Sequence, residues 1–124
     1  VIEPTRRIVE RVQQFHPHMP LIGFPRGAGP HYRAYINGSG VQALGLDQHV
    51  TLVKAQKYQT SIPVQGNLDP EILKTGEGLE AAADQIINAL HKGPHVFNLG
   101  HGVIKETPPE HVTRLVNHIR RAYG

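Results

Sequence analysis

No cysteine occurs in the chain, so neither a disulfide framework nor a thiolate metal site is open to it. That absence suits a cytoplasmic protein. Long apolar runs are also missing: none approaches the ~20 residues needed to cross a bilayer. No signal-peptide pattern opens the sequence at Val1. Positive charge is in slight excess, with 13 Lys and Arg against 10 Asp and Glu, but it is scattered rather than clustered. The net charge of +3 is compatible with an anionic ligand and gives little support for a nucleic-acid partner. Low-complexity segments and sequence repeats are absent as well. These absences lead us to expect a cytoplasmic protein that binds neither membrane nor nucleic acid.

What remains is ordinary globular composition. With 124 residues, 39% hydrophobic and 19% charged, the chain can build one small domain with a real core, not two. Residues 1–124 are therefore expected to form a single α/β unit. The first residue is Val1, which leaves open trimming, a disordered start, or a piece of a longer chain.

The hydrophobic pattern alternates between helical period and short apolar runs. Residues 4–15 read as a helix with Ile8, Val9, Val12 and Phe15 on one face. His16-Pro17-His18-Met19-Pro20 ends it. The two histidines there lack a third ligand nearby and read as a solvated loop. Residues 21–24 form a short apolar strand, followed by Pro25-Arg26-Gly27-Ala28-Gly29-Pro30. This loop is glycine-rich, but it has neither the P-loop nor the dinucleotide spacing. It reads as a flexible βα loop carrying one cation, Arg26. A short helix at 31–36 has Tyr32, Tyr35 and Ile36 on its inner face and stops at Asn37–Gly40.

The second strand covers 41–46, and Asp47 stands at its end. That carboxylate either contacts substrate or caps the next helix, with the cap favoured. A helix at 51–58, with Leu52, Val53 and Ala55 partly inward, leads to a third strand at 62–65. Asp69-Pro70 then looks like a helix cap followed by a first-turn proline. Residues 78–90 carry the clearest stripe: Leu79, Ala82, Ala83, Ile86, Ile87 and Leu90. The last helix has Val112, Leu115, Val116, Ile119 and Ala122 on one face.

The segment VFNLGHGVIKETPP, from Val96 to Pro109, organises the rest. It opens as a buried strand at 96–97, breaks at Asn98-Leu99-Gly100-His101-Gly102, and closes at Thr107-Pro108-Pro109-Glu110. Thr107 is expected to cap the final helix, with Pro108 at its first position and Glu110 three residues after the cap. Helix, then four strand–loop–helix units, implies a parallel sheet with right-handed crossovers. In such sheets ligands bind beyond the carboxyl ends of the strands. His101, flanked by two glycines in that position, is the leading candidate site residue. The alternative is a buried structural histidine bridging two backbone groups.

GLDQHV, VQGNLDP and FNLGHGVIKETPPEHV resemble the C-terminal half of the uroporphyrinogen decarboxylase family, and FPRGAG is similar to the corresponding family loop. The resemblance runs from about residue 21 to the last helix. It implies an α/β fold, the C-terminal half of a (β/α)8 TIM barrel made of four βα units with parallel strands. It also implies cofactor-independent, metal-free decarboxylation of the four acetate side chains of uroporphyrinogen to give coproporphyrinogen, in a homodimer. Of the family's active-site residues, only the histidine of NLGHG maps onto this sequence, as His101, which would bind substrate and act in catalysis. The arginine-rich segment, aspartate and tyrosine of the family's N-terminal half have no counterpart here, so a missing half is expected and the piece alone is expected to be inactive. Asp47, Gln65 and Arg26 are plausible lining without an assigned role.

Two rivals are distinguishable. The zinc-dependent corrinoid methyltransferases are similar in barrel architecture, but their thiolate ligands cannot exist in a chain without cysteine. A non-catalytic half-barrel serving as a binding or assembly module is the alternative from another class.

Overall fold

In the computed structural model, which describes residues 1–124, four parallel strands form one sheet in the order β1-β2-β3-β4. The elements are α1 (Ile2–Phe15), β1 (Ile22–Gly23), a 3₁₀ turn (Gly29–His31), α2 (Tyr32–Ser39), β2 (Ala43–Gly45), α3 (Leu52–Gln59), β3 (Val64–Gln65), α4 (Pro70–Thr75), α5 (Leu79–Leu90), β4 (His95–Val96) and α6 (Pro109–Tyr123). The alternation is that of a partial TIM barrel, as expected. Register pairs Gly23 with Leu44, Leu44 with Val64, and Val64 with His95. The neighbouring row pairs Ile22 with Ala43, Gly45 with Gln65, and Gln65 with Val96.

Because side chains alternate across a strand, these two rows face opposite sides of the sheet. The first meets the helices. Leu44 and Val64 are buried there with Tyr32, Tyr35, Ala55, Leu79, Ala83 and Leu90. The second row has no layer over it: Ile22 is 52% exposed and Val96 55%. A strand expected at 96–97 as a buried run is therefore His95–Val96, with its inner face open.

Several helix boundaries have local causes. Thr51 accepts a hydrogen bond from Lys54 N–H and caps α3, where Ala55 is buried and Val53 turns outward. Asp69 caps α4 by accepting from Glu71 N–H at 2.9 Å, with Pro70 at the first helical position, as expected. The α2 helix continues through Asn37 and Gly38 and stops only at Gly40, whose φ of 81° is left-handed. The α6 helix starts one residue later than expected. Proline restricts the residue before it to extended backbone, so Pro109 holds Pro108 at φ −61°, ψ 131°, in the cap position. Thr107 falls outside the helix, and its buried hydroxyl has no hydrogen-bond partner.

The face expected of α1 is also corrected. Val9 is buried and Ile2 and Val12 are half-buried, whereas Ile8 and Phe15 are more than 60% exposed. The helix packs chiefly on α2, so only the narrow row at residues 2, 5, 9, 12 and 13 is covered. Phe15 lies outside that row, with the Arg11 guanidinium 4.7 Å from its ring centre.

Candidate active site

The carboxyl ends of all four strands converge on a cavity of about 400 Å³. Ile22 and Phe24 line it from β1 and its loop, Gly45 and Leu46 from β2, and Gln65 from β3. Asn98, Leu99, His101, Gly102 and Val103 complete it from the loop after β4. His101 and Gln65 thus reach the same space. The wall is apolar apart from Gln65, Asn98 and His101, and His101 is its one side chain able to carry positive charge.

His101 is half-buried. Four other histidines are tied down: His91 to the Ile87 carbonyl, His95 to that of Gly66, His111 to that of Leu73, and His118 to the Asp84 carboxylate. The His101 ring makes no such bond and bridges no backbone groups. His95 offers a contrast. Burial holds its pKa below the usual histidine range, against the smaller opposite effect of the Gly66 carbonyl. Since that carbonyl only accepts, the Nε2–H of neutral His95 donates to it at 2.7 Å.

The glycines flanking His101 are not equivalent. A Cβ on Gly100 would sit 2.4 Å from the Gln48 backbone nitrogen, so the β2 loop occupies the space that glycine leaves. A Cβ on Gly102 would meet nothing within 4 Å. Only Gly102 leaves room on the cavity side.

Asp47 neither caps α3 nor enters the cavity. It is 2% exposed. Its carboxylate accepts from Gly27 N–H at 2.8 Å, from the Tyr32 hydroxyl at 2.8 Å and from His49 N–H at 2.9 Å. Burial pushes its pKa upward, but these three donors outweigh burial and leave it below the ordinary aspartate value. The same burial drives the Tyr32 hydroxyl well above the ordinary tyrosine range. Arg26 lies on the other side of the loop, in a separate cleft with Ile2, Glu3 and Tyr35. No three His, Asp or Glu side chains gather as a metal site, and His16 and His18 are exposed beyond α1.

Sequence reasoning passed over Asn67. Its side chain, 6% exposed, donates at 2.8 Å to the carbonyls of both Asp47 and Val50. The position of this asparagine between Gly66 and Leu68, immediately after a strand, was the available signal.

Comparison with known proteins identifies the family of the chain. Residues 1–122 match the family described as uroporphyrinogen decarboxylase (URO-D). A uroporphyrinogen decarboxylase of Sphingopyxis alaskensis is 47% identical over 122 residues, which cover 97% of this chain and 36% of that protein. One from Mesorhizobium japonicum is 47% identical over 120 residues, covering 96% and 35%. One from Rhodospirillum rubrum is 45% identical over 122 residues, covering 97% and 35%. The chain spans about a third of the length of these curated relatives. At such identity over nearly all of its residues, the chain belongs to the uroporphyrinogen decarboxylase family.

Proposed function

We propose that this chain forms the C-terminal half of a (β/α)8 barrel that decarboxylates the acetate arms of uroporphyrinogen to give coproporphyrinogen. The observation that carries the reading is the unpaired imidazole of His101 at the strand tips, over a cavity walled by apolar side chains. Flat pyrrole faces suit walls such as Phe24, Leu46 and Leu99, while His101 N–H can donate to a substrate carboxylate.

The chemistry needs no added cofactor. Protonation of the pyrrole beside an acetate arm creates an iminium-like electron sink. The bond to the carboxylate then breaks, carbon dioxide leaves, and its electron pair moves into the ring. A second proton reaches the former methylene carbon to make the methyl group, and the ring loses its added proton. In this scheme His101 orients the carboxylate or relays a proton at the mouth. The cavity contains no Arg or Lys, so further groups that hold a polyanion come from the other half of the barrel. The working assembly is proposed to be a homodimer in the cytoplasm.

A second reading rests on that same lack of Arg and Lys: a non-catalytic half-barrel that binds or assembles without turnover. The experiment that separates them measures carbon dioxide released from uroporphyrinogen by this chain joined to the upstream half of a family member. Release that falls about 10- to 100-fold in His101→Asn, the loss expected for a hydrogen bond to a charged group, supports the enzyme reading. Full activity in that variant refutes the role of His101, and no release from the joined protein favours the binding module.

A further inference from the structure

We infer that Asn67 is a positioning residue for His101, acting as a clamp between the two segments on which the His101 loop rests. The inference takes the proposed role of His101 as its premise, but its geometry is independent of turnover.

The His101 loop is held from two directions. On one side lies the segment after β3. Leu68 N–H donates to the Asn98 carbonyl at 3.0 Å, and Gly100 N–H donates to the Leu68 carbonyl at 2.7 Å. These two bonds extend the β3–β4 pairing past the strand ends, as the Leu68–Leu99 bridge, and finish one residue before the imidazole. On the other side lies the turn after β2, where Gln48 packs so closely on Gly100 that even a methyl group would collide with its backbone. The loop therefore moves only if one of these supports moves.

Asn67 joins the supports. Its backbone belongs to the segment after β3, next to Leu68, and its amide reaches into the turn after β2. One NH₂ group donates to two carbonyls there, Asp47 and Val50, that bracket Gln48. Asparagine suits the task because a single side-chain nitrogen carries two N–H donors. Both bonds are buried; their loss leaves the Val50 carbonyl without a partner and the Asp47 carbonyl with only the Val50 N–H at 3.2 Å. The turn is also anchored from behind, since the Asp47 carboxylate holds Gly27 N–H and the Tyr32 hydroxyl. A displaced segment after β3 would thus carry His101 away while the turn stayed in place.

The test uses the chain joined to the upstream half of a family member, as above, and reads His101 directly. Histidine ring resonances and amide hydrogen exchange are compared between the native chain and Asn67→Asp, which keeps the shape but offers oxygens to the two carbonyls. The expected result is a shift of the His101 ring signals, with Gly100 and Leu68 amides exchanging about tenfold faster or more. Amides in α5 stay within about twofold of the native rate, which a general loss of stability would not allow. Unchanged His101 signals, or acceleration spread equally through α5, overturn the inference. If Asn67→Asp does not fold, Asn67→Ser removes both bonds without adding charge and is judged by the same readouts. A His101→Asn enzyme that retains full turnover refutes the catalytic premise while leaving these exchange results standing, so the two failures are distinguishable.

Discussion

Tyr32 and Asp47 hold each other twice: the tyrosine hydroxyl donates to the carboxylate at 2.8 Å, and the Asp47 backbone N–H donates to the same hydroxyl at 3.3 Å. This closed exchange fastens the start of α2 to the end of β2, behind the cavity. Tyr32→Phe keeps the ring, which stacks on Tyr58 at 5.7 Å, and removes only the hydroxyl. The expected cost is about 2 kcal/mol, since a bond to a charged group is lost and a buried N–H is orphaned. Chemical denaturation of the variant checks it.

The same carboxylate makes a pH prediction. Asp47 titrates lower in the folded state than the about 3.9 of an unfolded aspartate. Its stabilisation is therefore complete above about pH 4 and is lost as pH falls through the lower folded value. Asp47→Asn cannot titrate. Thermal melts between pH 6 and pH 3 should show a shallower acid decline for the variant than for the native chain, with a lower melting temperature at neutral pH.

The two glycines beside His101 should separate stability from access. Gly100→Ala forces a methyl group against the Gln48 backbone, and overpacking of this kind costs roughly 1–3 kcal/mol. Gly102→Ala meets no neighbour and should change stability by less than about 0.5 kcal/mol. It narrows the cavity, so a rise in KM for the joined enzyme is expected with an unchanged melting curve. A melting curve that falls as far for Gly102→Ala as for Gly100→Ala contradicts this division.

The legible parts of this fold were those with enough length to show a period. The stripe from Leu79 to Leu90 read directly as α5, and all of its residues are buried except Ala82, which is half-buried. Strand positions were legible as short apolar runs, and the four ends did converge around His101 and Gln65. The α4 helix is only six residues long, too short to show a period, and its Asp69-Pro70 start was the one visible sign. Ile8, Phe15 and Val96 misled because hydrophobicity says that a side chain favours burial, not that a neighbour exists to cover it. The Asp47–Tyr32–Gly27 tie and the Asn67 clamp were illegible because they join residues 15 to 20 positions apart through loops that have no period.

The last helix is held by charge as well as by packing. Arg114 donates to both Glu80 oxygens, at 2.6 and 2.8 Å, and Asp84 accepts from the Tyr123 hydroxyl at 2.9 Å and pairs with His118 at 2.8 Å. The Arg114 guanidinium holds the Glu80 carboxyl down to about 2. Glu80→Gln should loosen α6 against α5. These groups are half-exposed, so the effect is modest and screened by salt: amide exchange in α6 should rise about two- to fivefold at low ionic strength and less at 1 M salt. Because the folded Glu80 pKa is depressed, the native chain should lose the same restraint as pH falls toward about 2.

The uncovered row of the sheet gives the final prediction. Ile22 and Val96 project from the two edge strands on the same side as Ala43, Gly45 and Gln65, and no helix reaches them. If the upstream half of a family barrel covers this row, mixing that half with the chain should raise the melting temperature, and Ile22→Glu or Val96→Glu should abolish the rise. Burying a side chain of that size is worth about 1.5–3 kcal/mol, and burying an unpaired carboxylate in its place is unfavourable. Both substitutions sit on an exposed face in the isolated chain, so neither should lower its own melting temperature by more than a few degrees. Sedimentation and melting of the chain, the upstream half and their mixture decide the matter. A chain that sediments as a stable monomer of 13.7 kDa and gains nothing from the upstream half refutes the half-barrel reading, because its inner row would then be stable against water alone.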